Sequence, residues 1–170
     1  KSIGKEAFTY TLIEEFTILR NITVIKENAF ACHKLKKVSF QKDSKLTLIQ
    51  KWGFAFSSIE EIEIPKNVIQ MDWMEFGVIN LLKKVYFDPN SKLEIIGNEV
   101  FKETKITSIS LPRNISKIKK DVFLKCKYLH IIEFQEISHL EYLDQTFFPN
   151  LSNVIVLSPK SLLEIIGKID

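Results

Sequence analysis

The chain has 170 residues and a mass of 19.8 kDa, enough for one domain with a sizeable core and short for two. Apolar residues make up 45% and charged residues 26%, with only 5 Gly and 5 Pro, which excludes a collagenous, low-complexity or disordered chain. The net charge of +3 comes from intermixed signs, whereas a nucleic-acid binder carries a stronger, clustered basic excess.

In chain order, one phrase recurs: apolar-x-x-apolar-x-apolar. It reads Ile13/Phe16/Ile18, Leu35/Val38/Phe40, Ile59/Ile62/Ile64, Leu82/Val85/Phe87, Ile106/Ile109/Leu111, Leu129/Ile132/Phe134 and Leu151/Val154/Val156. The last four residues of each phrase alternate, with β-branched and aromatic types dominating, which predicts seven short strands with one face in and one face out. Between them stand Phe8, Phe30, Phe54, Phe76, Phe101, Phe123 and Phe148, spaced 22, 24, 22, 25, 22 and 25. Five residues before each lies an apolar residue: Ile3, Ile25, Ile49, Met71, Ile96, Ile118 and Leu143.

Strands so far apart cannot be hairpins. They fit a solenoid in which each coil adds one parallel strand and buries its apolar side against its neighbours. At ~4.8 Å per strand, seven coils give a sheet roughly 34 Å long. Turns alternate between a short type with Asn21, Asn67 or Asn114 and a longer type such as Asp88-Pro-Asn-Ser-Lys92, so the unit is a pair of coils.

Ile22-Thr-Val-Ile-Lys-Glu-Asn-Ala-Phe-Ala-Cys-His-Lys-Leu and Leu93-Glu-Ile-Ile-Gly-Asn-Glu-Val-Phe resemble the BspA-like class of leucine-rich repeats, over essentially all 170 residues. The class phrase departs here at several coils: Ala precedes Phe only at Ala7 and Ala29, Cys survives only at Cys32 and Cys126, and Gly fills its slot only at Gly4, Gly97 and Gly167. The expected fold is an α/β-type repeat solenoid, a right-handed coil with its parallel sheet on the concave face and mostly irregular or short-strand return arcs. The expected organisation is one solenoid over 1–170, about seven coils of 22–25 residues, as a fragment of a longer array that can self-associate end to end. The resemblance implies a surface-exposed interaction protein of mucosal bacteria or protozoa, secreted or at the cell surface, attaching to a protein or glycan partner. An intracellular scaffold on the same repeat, or an inert spacer in a surface protein, are the alternatives.

No catalytic set is legible. His33, His130 and His139 are scattered, Cys32 and Cys126 read as small core groups, and the Gly residues make no phosphate loop. No Cys or His stands at metal-ligand spacing, so neither a metal nor a cofactor is expected. No apolar run of ~18 residues is present to insert in a membrane, and Lys1 to Phe8 is no signal peptide. Trp52 and Trp73 read as packed arc residues. Three candidate N-glycosylation sequons begin at Asn21, Asn114 and Asn150, although turn chemistry already accounts for the first two Asn.

The outward strand slots divide in two. The pairs Glu14-Glu15, Lys36-Lys37, Glu60-Glu61 and Lys83-Lys84 alternate in sign, so stacking neutralises them. Beyond them the slots become Thr107-Ser108, His130-Ile131 and Ser152-Asn153, with Tyr86, Ser110, Glu133 and Ile155 in the alternate slot. A face depleted of charge and carrying an aromatic and two isoleucines is the candidate partner site, a concave surface expected to receive a host or extracellular-matrix protein or a glycan.

Overall fold

A computed structural model of the chain describes residues 1–74, 76, 79–135, 140–144 and 155–157. It runs β1 (Ser2–Ile3), β2 (Glu15–Ile18), β3 (Val24–Ile25), β4 (Lys37–Phe40), β5 (Leu48–Ile49), β6 (Glu61–Ile64), β7 (Gln70–Met71), β8 (Lys84–Phe87), β9 (Ile95–Ile96), β10 (Ser108–Leu111), β11 (Lys117–Ile118), β12 (Ile131–Phe134), β13 (Tyr142–Leu143) and β14 (Ile155–Leu157). Every pairing is parallel. The α/β-type solenoid is realised without a helix among the described residues, since the arcs are successive turns.

The continuous sheet is not where the sequence places it. The seven two-residue strands, β1 to β13 by odd numbers, form one unbroken ladder. The longer strands of the recurring phrase split into β2–β4, β6–β8 and β10–β12–β14. Hydrogen-bond spacing explains the split. Within a pair, Lys36 N–H donates to Glu14 O, Lys83 N–H to Glu60 O and His130 N–H to Thr107 O, all one residue ahead of the strands and in their register. Between pairs, the entry bonds are Ser58 N–H to Leu35 O and Lys105 N–H to Leu82 O, both 2.8 Å. Each spans one residue less than the strands that follow, so those strands leave the bond out of step and do not form a ladder. The pair of coils inferred from alternating turns is thus written into the hydrogen bonding up to β12, whereas the β12–β14 ladder crosses a pair boundary.

Turn chemistry follows the same period. Asn67 Nδ2 donates to Ser44 O (2.8 Å), and Asn114 Nδ2 to Ser91 O (2.6 Å). The buried Ser44 and Ser91 hydroxyls accept from the Leu46 and Leu93 N–H groups in turn. Such Asn residues satisfy a carbonyl of the preceding coil, which is why a side-chain amide recurs at that slot.

The interior is a column of rings. Phe8, Phe30, Phe54, Phe76, Phe101 and Phe123 stack at centroid separations of 5.0, 5.3, 5.7, 5.8 and 5.6 Å, all within 13° of parallel. Ile25, Ile49, Met71, Ile96 and Ile118, at the ends of the short strands, are buried beside the column. Two residues before each ring the backbone turns left-handed, at Glu6, Asn28, Trp52, Met74, Glu99 and Asp121, with φ between 53° and 58°. That turn aims an N–H along the solenoid axis. Glu6 and Phe8 N–H donate to Glu27 and Ala29 O of the next coil, and Glu99 and Phe101 N–H to Lys120 and Val122 O. Arc bonds therefore run forward along the axis while the ladder's, such as Lys26 N–H to Ile3 O, run back. Phe148 and Gly167 lie outside the described residues.

Candidate interaction face

The outer slots of the longer strands make one face, and the charged rows occupy its first half. Lys36 Nζ donates to Glu14 Oε2 and Lys83 Nζ to Glu60 Oε2, each at 2.8 Å. Both bonds lie within a coil pair, and Glu15 stands in register with Lys37 and Glu61 with Lys84. The neutralisation expected across all four rows is therefore confined to the pairs. Between β4 and β6 the unladdered strands leave two open grooves instead. One, of about 450 Å³, is lined by Lys36, Lys37, Glu60, Glu61, Glu63 and Tyr86; the other, of about 500 Å³, by Ser39, Gln41, Lys42, Glu63, Lys66 and Asp88 among others. Sequence reasoning missed both grooves, because only the bond spacing at Ser58 shows that the strands separate.

The hydrogen bond from Lys36, then its charge, holds the Glu14 carboxyl below the usual carboxylate range; Lys83 does the same to Glu60. A depressed folded-state pKa means a contribution present above the ordinary carboxylate pKa and lost as pH falls through the lowered one. Both pairs are solvent-exposed, so the effect is small and screened. Lys36→Glu with Lys37→Glu is expected to lower the melting temperature at low salt near neutral pH. The deficit should shrink at high salt and also at acid pH. Unchanged melting at low salt would show that the rows do not interact.

The second half of the face carries the predicted binding residues other than Tyr86, which stands on β8, the last charged strand. Ser108 pairs with Ile131 and Ser110 with Glu133, as the phrase alignment has them. Tyr86 stands in register with Glu63 and is 47% exposed. Thr107, Ser108, His130, Ile131 and Glu133 are exposed, and Ser110 is half-buried, accepting from Gln135 Nε2 at 3.3 Å. Ser152 and Asn153 lie outside the described residues.

One register differs. The repeat phrase sets Ile155 beside Glu133, whereas β14 pairs Ile155 with Ile131 and Leu157 with Glu133. The slip is two residues. A two-residue slip keeps every side chain on its own face, so the hydrophobic alternation that fixes register elsewhere does not oppose it.

Other chemistry is structural. Cys32 is buried and its thiol donates to Thr11 O (2.8 Å); Cys126 donates to Phe101 O (2.9 Å) and contacts Thr104 Oγ1. Burial pushes the Cys126 thiol pKa up, away from thiolate chemistry. No group of His, Cys, Asp and Glu suited to a metal ion occurs among the described residues. On the arc, Lys51 Nζ lies 4.1 Å and 4.2 Å from the ring centroids of Trp52 and Trp73, which are 6.1 Å apart. The sequence signal was available: Lys51 and Trp73 hold the same slot in successive coils. Of the sequons, Asn21 is exposed, Asn114 is half-buried and engaged with Ser91, and Asn150 lies outside the described residues.

A family model described as BspA type leucine rich repeat region, in 6 copies, matches residues 1–130 and 82–168. The fold is similar to the crystal structure of a leucine-rich repeat protein from Bacteroides ovatus ATCC 8483, at 21% identity and a TM-score of 0.66, covering 95% of this chain and 49% of that one. It is also similar to the pneumococcal vaccine antigen PcpA, at 21% identity and a TM-score of 0.59, covering 94% of this chain and 56% of that one. The chain thus spans about half the length of these structures. No curated protein matches it.

Proposed function

The chain belongs to the BspA type leucine-rich repeat family, and on that premise we propose that it is a non-enzymatic protein-interaction module of a cell-surface protein, binding a host or extracellular-matrix partner through the outer face of its longer strands. One observation carries the site. Past the last charged strand, where Tyr86 is 47% exposed, the face shows Ile131 at 37% and Ile155 at 60%, among hydroxyls that cost less to desolvate than the charged side chains they replace. Exposed apolar side chains grouped on a rigid strand face mark an interaction surface more than single scattered ones do. Tyr86, Thr107, Ser108, Ser110, His130, Ile131, Glu133 and Ile155, with Ser152 and Asn153 beyond the described residues, form the proposed site. The match to the BspA type repeat and the likeness in fold to a vaccine antigen support placement at the surface.

The test introduces Glu separately at Ser110, Ile131 and Ile155 and measures attachment to cells and matrix proteins. Loss of attachment with cooperative unfolding retained is the expected result. Attachment unaffected at all three, and abolished by substitution at Trp73 on the arc, would move the site to the other side of the solenoid.

A further inference from the structure

The two-residue slip of β14 makes neighbours of the two isoleucines that the repeat phrase keeps on separate rows. Ile131 and Ile155 are register partners on adjacent strands, so their side chains stand side by side as an apolar ridge, roughly 4.8 Å between backbones. Both are exposed, and the fold asks for neither: the matching slots on β2, β4, β6, β8 and β10 hold Glu15, Lys37, Glu61, Lys84 and Ser108. Aliphatic β-branched side chains are stiff, so covering them costs little rotamer entropy. They offer no aromatic plane for a sugar ring to stack on; an apolar side chain of a protein is the group they suit.

Charge then narrows the class. Strands β10, β12 and β14 read Ser-Ile-Ser-Leu, Ile-Ile-Glu-Phe and Ile-Val-Leu, so Glu133 is the one charged residue in all three. It is exposed and two residues along β12 from Ile131, on the same face. A docked segment without a cation would cover part of that carboxylate's water and return nothing for it.

We propose that the Ile131–Ile155 ridge, with Glu133 at its side, receives a protein segment bearing an apolar anchor next to a lysine or arginine. The inference rests on the binding-face reading above and adds the chemistry of the partner. The apolar anchor supplies affinity, and the basic residue supplies orientation and a salt-dependent association rate.

The test pans a displayed library of random peptides against the whole chain. The expected result is enrichment of peptides with an apolar residue beside Lys or Arg. Repeating the selection on Glu133→Lys should exchange the basic residue for Asp or Glu. For one selected peptide, Ile155→Ser should weaken binding roughly 10- to 100-fold, the loss of one buried aliphatic side chain. Glu133→Gln should weaken it about two- to fivefold at low salt and hardly at high salt, as for an exposed pair. Cooperative urea unfolding of each variant guards against misfolding, and the Glu133 substitutions touch no core contact. Enriched peptides without a basic residue, or a preference unchanged by Glu133→Lys, would overturn the proposal. So would a face whose Glu substitutions abolish attachment while only a glycan array gives a signal; that outcome would leave the binding face standing and remove the protein segment.

Discussion

In urea, Phe54→Ala is expected to unfold with about 3–5 kcal/mol less free energy than the parent chain, at a similar denaturant slope. Phe54 is fully buried and its ring lies between Phe30 and Phe76, at 5.3 and 5.7 Å. Truncation removes the transfer energy of one ring and opens a gap between two more. The neighbours cannot close it, because each ring is pinned by a backbone turn whose N–H is bonded to the next coil: Phe30 N–H to Gly53 O and Phe76 N–H to Val100 O. In a solenoid each coil touches only its neighbours, so the damage falls at one interface and then uncouples the coils on either side. A broadened transition, with the two halves separating in denaturant, is the accompanying sign. Phe56, two residues on and 52% exposed, is the control. Phe56→Ala should stay within about 0.5 kcal/mol of the parent. Equal effects at the two positions would show that the ring column is not what holds the coils together.

The ring column was legible because its signal is a single residue type at a nearly fixed interval, which the backbone repeat must obey. The longer strands were legible for the same reason: Glu61-Ile-Glu-Ile64 alternates, and so does its burial. What escaped was anything set by a one- or two-residue offset between coils. The split between β4 and β6 depends on the Ser58 N–H finding Leu35 O, a pairing that neither segment carries in its composition. The slip at β14 escaped because alternation is blind to shifts of two, and Leu151-x-x-Val154-x-Val156 satisfies the phrase as written while the strand pairs further on. The candidate face was accordingly legible as a set of outward slots. Its apolar ridge was not, since Ile131 and Ile155 meet only after the slip.

Glycine at 97 gives the second large effect, and it too separates repeat pattern from local geometry. Gly4 and Gly97 occupy one slot, immediately after Ile3 and Ile96, yet the same slot holds Lys26, Gln50, Asp72 and Lys119 in other coils. The repeat as such does not demand glycine there. At Gly97 the chain does: a Cβ would fall on the Asp72 carbonyl and lie 2.8 Å from Met71 O, the acceptor of Gly97's own N–H. Those atoms are backbone, held in the ladder by the pairing of Gln70 with Ile95 and Met71 with Ile96, so no side chain can swing aside. Gly97→Ala must push β9 off β7, and is expected to destabilise by about 3 kcal/mol or more, the upper end of overpacking. Gly4→Ala meets nothing within 4 Å and neither glycine has a positive φ, so that substitution should be neutral or stabilising by up to about 1 kcal/mol. Hydrogen exchange locates the damage. In Gly97→Ala, protection should fall first at the amides of residues 95 and 97, which donate to Ile69 O and Met71 O, while those of residues 26 and 50 keep theirs. If the alanines at 4 and 97 prove equally mild, the close approach of the two coils at Asp72 is wrong, and with it the register of β7 against β9.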